Sequence, residues 1–161
     1  MGKADLHMHT CYSDGQPTVR ELLDHVRDCT DLDVIAITDH DTVAGAQEAL
    51  TMADEYPFDV IVGEEVTSVD GHVVGLFLEE TVAPRQSVEA TVRDIHLQGG
   101  LAFAPHPFFR NGFFSNKGNS MLGLGVRLID ACMDGIEVIN STPSLKWAND
   151  RARRFAEEVG C

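Results

Sequence analysis

Short apolar runs alternate along the chain with longer stretches in which apolar residues recur every three or four positions. That alternation predicts an α/β fold rather than a helical bundle or a sandwich. Ala4–His7 reads as a strand. Val19, Leu22, Leu23 and Val26 mark a helix between Pro17 and Cys29, and Val34-Ile35-Ala36-Ile37 is a β-branched strand. A second helix is expected from Thr42 to Glu55, where Tyr56-Pro57 stops it. Strands follow at Asp59–Val62 and His72–Leu78, and the Asp70-Gly71 turn signal between them predicts an antiparallel hairpin. A helix over Ser87–Gln98 closes on Gly99-Gly100 and leads into a strand at Leu101–Ala104. A polar, glycine-rich stretch from Pro105 to Gly125 then separates it from a last strand at Gly135–Ile139 and a helix over 144–159.

No repeat or linker interrupts this order, and 161 residues with 43% hydrophobic content make one core, so residues 1–161 are expected to form a single domain. No apolar run approaches the roughly 20 residues of a spanning helix, and the start lacks a signal-peptide core, so the expected setting is cytoplasmic with no membrane partner. Cys11, Cys29, Cys132 and Cys161 stand singly, without a Cys-x-x-Cys pair, and are expected as reduced thiols, with Cys11 a small buried residue beside the site.

The formal net charge is −14, which disfavours a grip on nucleic acid through a basic surface. Residues 1–80 hold 18 acidic and three basic side chains, whereas residues 81–161 hold eight and nine. A solvated acidic surface accounts for many of these carboxylates, but the front half also holds most of the candidate cation ligands.

Five of the seven histidines fall at strand ends or beside a turn. His7 and His9 flank the end of the first strand, with Asp14 beyond. Asp39-His40-Asp41 follow the second, Glu64-Glu65 the third, and His106 the strand ending at Ala104. Loops converge at the carboxyl ends of strands in parallel α/β folds, so these groups are expected in one crevice. His72 begins its strand, but the hairpin returns it to Glu65 at the same edge. Imidazoles and carboxylates without cysteine suit divalent ions such as Zn, Mn or Fe. Of the neighbours Asp39 and His40, only one can face the site from an extended segment.

These segments resemble the PHP (polymerase and histidinol phosphatase) domain family. The resemblance rests on Asp5-Leu6-His7-Met8-His9-Thr10 with Ser13-Asp14-Gly15, Thr38-Asp39-His40-Asp41, Gly63-Glu64-Glu65-Val66-Thr67, His72-Val73-Val74-Gly75-Leu76 and Ala104-Pro105-His106-Pro107. It implies a distorted (β/α)7 barrel whose carboxyl-end site holds two or three divalent ions for phosphoester hydrolysis. His7 and His9 would then hold one ion, and Glu65 would bridge it to a second held by His72 and His106. Asp14 and His40 would serve a third, and Glu64 is second choice for the bridge. Members of the family usually close with a Gly-Ser-Asp-Ala-His-like segment, and none follows Gly160-Cys161. The barrel is therefore expected to lack its last strand or strands, as a C-terminally truncated chain would.

The expected activity is a metal-dependent phosphoesterase that hydrolyses a small phosphorylated metabolite or nucleotide with a metal-activated water. Glu65, His40 and Arg110 are its candidate catalytic groups. Arg110, and after it Lys117, are candidate cations for the substrate phosphate, since guanidinium matches phosphate geometry. Phe108, Phe109, Phe113 and Phe114 punctuate the same loop and are expected to cap the barrel. The alternatives are an exonuclease-like phosphodiesterase on nucleic acid ends and a metal-binding or partner-docking module without turnover.

Overall fold

A computed structural model describes residues 2–109, 123–142 and 146–160. The elements are β1 (Ala4–Met8), α1 (Val19–Cys29), β2 (Val34–Ile37), α2 (Ala44–Thr51), β3 (Asp59–Thr67), β4 (His72–Leu76), α3 (Val88–Leu97), β5 (Leu101–Ala104), β6 (Gly135–Ile136) and α4 (Lys146–Val159), with 3-10 turns at Ala53–Glu55 and Gly125–Ile129. Local chemistry sets several boundaries. Thr18 and Glu21 form a reciprocal capping box at the start of α1, and Ser87 caps α3 by accepting from Ala90 N–H. At the other end of α3, Gly99 adopts φ +79°, and Gly100 N–H returns to Ile95 O at 3.1 Å.

Six strands form one sheet in chain order. β1, β2 and β3 run parallel, β4 lies antiparallel between β3 and β5, and β6 is parallel to β5. The predicted hairpin is therefore present, with His72 opposite Thr67. The third strand is longer than its apolar run: β3 continues through Glu64 and Glu65 to Thr67, so both glutamates lie within the strand rather than after it. Antiparallel pairing with β4 supplies their backbone partners and carries the ladder past the apolar residues. β4 ends at Leu76 instead of Leu78, where Phe77 turns to φ +62°. β6 also stops early, at Ile136 rather than Ile139.

The sheet curls. Six strands laid flat would put β1 and β6 about 24 Å apart at the usual inter-strand spacing, yet His7 on β1 and Glu137 just after β6 are joined at 2.9 Å. The mixed α/β fold is accordingly a six-strand half-barrel, in keeping with the expected PHP-type barrel. Its convex face carries two cores. Val19, Leu23 and Val26 of α1 pack with Ile35, Ile37, Ala46 and Ala49, while Val88, Val92 and Ile95 of α3 pack with Val66, Val73, Ala102 and Ala104. Leu23 alone, fully buried, contributes about 2 kcal/mol of apolar transfer. The concave face holds a smaller cluster of Ala36, Val74 and Leu76 with Ile61 and Phe103. Beside it lies a cavity of about 530 Å³ that reaches His7 and Glu137. Among the described residues, no helix is long and apolar enough to cross a membrane.

Candidate metal centre

Strand alternation decides which glutamate enters the half-barrel. Val60, Val62 and Val66 face the helices while Ile61 faces inward, so the odd-numbered Glu65 points inward and Glu64 outward. Both are buried. Glu65 Oε1 lies 2.8 Å from His72 Nδ1 and 2.9 Å from His106 Nε2. Its Oε2 lies 3.1 Å from His7 Nε2, 3.2 Å from His9 Nε2 and 3.6 Å from His40 Nε2. The five rings form a closed circuit around this carboxylate. Centroid separations are 5.1 Å from His7 to His9, 4.9 Å to His40, 5.0 Å to His72, 5.6 Å to His106 and 5.9 Å back to His7. Asp14, half exposed, closes the outer side, 3.3 Å from His9 Nδ1 and 3.6 Å from His40 Nε2. The seven expected metal-type residues are thus in one place.

Each imidazole arrives on a supported backbone. His40 follows β2 and forms an isolated parallel bridge with Glu65. Its neighbour Asp39 turns away and is buried, accepting from Thr10 N–H at 2.7 Å, Thr10 Oγ1 at 2.6 Å and Ser13 Oγ at 2.6 Å. The choice between the two neighbours therefore falls to His40, while Asp39 ties down the loop that carries His9 and Asp14. α2 packs so close here that a Cβ at Gly45 would meet Asp39 Oδ2 at 2.3 Å, which is why glycine stands there. His106 adopts φ +29°, a region in which a non-glycine residue persists only when its surroundings hold it.

The electrostatics follow from one buried carboxylate among five rings. Burial alone would raise Glu65, but hydrogen bonds from His106, His7, His72 and His9 outweigh it and hold the carboxylate well below its ordinary value. Burial works against protonated His7 too, yet hydrogen bonds to Glu137 and Glu65 prevail and raise it to about 10. His40 goes the other way: desolvation lowers it, so its ring is neutral at pH 7. On the opposite face, burial pushes Glu64 up to about 7, against a hydrogen bond from Val82 N–H at 2.8 Å.

The donor set fits divalent cations. Ligand atoms of His7, Glu65 and His106, and those of His9, His40 and Glu65, lie within 4.8 Å of one another. Imidazole nitrogen with carboxylate oxygen is the set that zinc and similar first-row ions take. Glu65 belongs to both groups.

Cys11 is exposed rather than buried, because its loop is held through the backbone, Cys11 N–H to Pro17 O at 2.8 Å, and leaves the thiol outside the packing. Arg110 and Lys117, like Phe113 and Phe114, lie outside the described residues. Phe108 is buried, with Phe155 edge-on at a centroid separation of 5.3 Å and the Arg151 guanidinium 4.5 Å from its ring centre, both on α4. One polar group was not expected from the sequence. Glu137 contacts His7 Nδ1 at 2.9 Å and His106 N–H at 2.6 Å. Its only sequence signal was an acidic residue in the last predicted strand.

Similarity to known proteins agrees with this geometry. An uncharacterized protein of Methanocaldococcus jannaschii, MJ1587, is 36% identical over 150 residues, 86% of this chain and 82% of that one. A 5'-3' exoribonuclease of Haemophilus influenzae is 40% identical over 83 residues, and a phosphoribosyl 1,2-cyclic phosphate 1,2-diphosphodiesterase of Eggerthella lenta 33% over 82. Those two matches cover 49% and 47% of this chain but only 30% and 31% of the relatives' lengths. Among solved structures, a Bacteroides vulgatus two-domain protein described as containing a PHP-like metal-dependent phosphoesterase superposes with TM-score 0.70 at 24% identity, over 97% of this chain and 48% of its own. An amidohydrolase from Chromobacterium violaceum, with bound sulfate and no metal, gives TM-score 0.76 at 20% identity, over 99% of this chain and 84% of its own. The PHP domain model itself matches residues 5–111, the span that contains the whole imidazole circuit and Glu65, and the chain belongs to the PHP domain family.

Proposed function

We propose that the chain is a metal-dependent phosphoesterase acting on a small phosphorylated metabolite or nucleotide. The observation that carries this reading is the convergence of five imidazoles on the two oxygens of Glu65, at 2.8–3.6 Å. By the family pattern His7 and His9 would hold one ion, His72 and His106 a second shared through Glu65, and Asp14 and His40 a third, while the cation-sized groups of the structure join His7 to His106 and His9 to His40, each with Glu65. Divalent ions held by these residues would supply an acidified water and charge stabilisation for a phosphoryl transfer. The protein's own groups do the rest. Glu65 stays ionised and neutralises bound cations. Desolvation favours the neutral form of His40, and burial shields the Glu65 carboxylate and the His72 and His106 rings from solvent. Arg110, with Lys117 second, is proposed to receive the phosphate.

An exoribonuclease and a cyclic-phosphate diphosphodiesterase stand among the relatives, which supports the reaction class. Exonuclease-like action on nucleic acid ends is the second reading. The similarity to the exoribonuclease favours it and the net charge of −14 opposes it. Turnover is tested with p-nitrophenyl phosphate and its bis-ester in the presence of Mn²⁺, Zn²⁺ or Fe²⁺. Hydrolysis that needs metal and stops with chelator is the expected result, and a chain that binds metal without hydrolysing either ester, nucleotides or single-stranded ends would be a binding module instead.

A further inference from the structure

The geometry points to Glu137 as a positioning residue that sets two candidate metal-ligating histidines from outside the centre, His7 against Glu65 Oε2 and His106 against Glu65 Oε1. This deepens the proposed function and rests on it.

Every hydrogen-bonding direction of the Glu137 carboxylate is occupied by the protein. Oε1 meets His7 Nδ1 at 2.9 Å and Asn140 Nδ2 at 3.2 Å, and Oε2 accepts from His106 N–H at 2.6 Å and from Asn140 Nδ2 at 3.1 Å. It therefore faces the backs of the ligands rather than the space between them. With Nδ1 of His7 engaged by Glu137, the nitrogen aimed at Glu65 Oε2, at 3.1 Å, is Nε2, so the contact fixes the ring orientation and leaves Nε2 as the nitrogen that would give up its proton to a cation. The second contact acts through the backbone. His106 sits at φ +29°, which is strained for a non-glycine residue. A charge-assisted bond from its N–H to Glu137 holds that conformation, in which Nε2 reaches Glu65 Oε1 at 2.9 Å.

Glu137 is itself anchored. Asn140 holds it from below, and Asn149 on α4 pairs with the Asn140 backbone, accepting from Asn140 N–H at 3.1 Å and donating Nδ2–H to Asn140 O at 2.8 Å. α4 is thereby connected to the centre through Asn149, Asn140 and Glu137. Its buried residues are Ala148, Ala152 and Ala156, and Phe155 beside them packs against Phe108.

The test uses Zn²⁺ alone as probe, titrated calorimetrically against a competing chelator into wild type, Glu137→Gln, Asn149→Ala and a destabilised control, Leu23→Ala in the distant convex core. Glu137→Gln is expected to keep the ion count and weaken binding about 10–100-fold, the range for loss of a partner behind a metal-bound histidine. Asn149→Ala is expected to weaken it less in the same direction, and Leu23→Ala to lower Tm without changing affinity. In zinc-loaded wild type, 15N NMR should show His7 protonated at Nδ1. A loss of one whole ion in Glu137→Gln would make it a direct ligand, and a loss equalled by Leu23→Ala would make it merely structural. Either outcome overturns the inference. Unchanged affinity in Glu137→Gln beside a zinc-binding wild type overturns it alone, whereas a wild type that binds no zinc overturns the metal reading and this inference together.

Discussion

Glu65→Gln is expected to lose divalent-ion binding and phosphoester turnover together, each by more than about 100-fold, which is the upper end of losses seen when only an outer partner is removed. The substitution is nearly isosteric, so the sheet position is retained. It replaces the carboxylate proposed as the shared ligand with a neutral amide, one end of which carries N–H donors and can no longer face a cation. The neighbours cannot compensate. His72 and His106 approach one oxygen and His7, His9 and His40 the other, so no second carboxylate among the described residues touches all five rings. Circular dichroism establishes that the variant is folded, and zinc titration with steady-state hydrolysis gives the two losses. Retention of affinity within about tenfold would show that Glu65 is not the shared ligand.

Glu64→Gln is expected to affect stability instead, with a pH dependence of definite sign. The folded-state pKa of Glu64, about 7, lies above the ordinary value of 4.5 because of burial. The folded protein therefore holds the proton more tightly than the unfolded chain. That stabilisation is complete below about pH 4.5 and is lost as pH rises through 7. The shift corresponds to about 3 kcal/mol. The variant's amide would keep an acceptor for Val82 N–H but carry no charge. Variant and wild type should therefore agree within about 1 kcal/mol at pH 5, with the variant ahead by about 3 kcal/mol at pH 9. Urea unfolding at the two pH values checks this. Equal stability at both would show that Glu64 ionises without penalty.

Most of the centre was legible because strand ends carry chemistry and a tight turn constrains its flanks. His72 illustrates this: Asp70-Gly71 predicted the hairpin, and the hairpin alone returned His72 to Glu65, 2.8 Å away. The choice of Glu65 over Glu64 came from the family pattern, and the structure supplies its physical basis in the inward face shared with Ile61. The length of β3 was not legible, since two adjacent glutamates interrupt the apolar run and only pairing with β4 keeps them extended. Glu137 was missed for a tertiary reason. Nothing local distinguishes it from another acid near a strand end, and its contact with His7, 130 positions away, exists only because the sheet curls. The exposure of Cys11 likewise depends on how its loop is tied, which residue type does not report.

Whether the imidazole circuit holds ions about Glu65 decides everything else proposed for this chain. Anomalous diffraction from crystals grown with Zn²⁺ or Mn²⁺ tests this directly. Two or more ions are predicted at about 2.0–2.2 Å from the Glu65 oxygens, with ligands drawn from His7, His9, His40, His72 and His106. Fewer than two ions, or ions bound elsewhere while these histidines keep contacting the bare carboxylate, would contradict it.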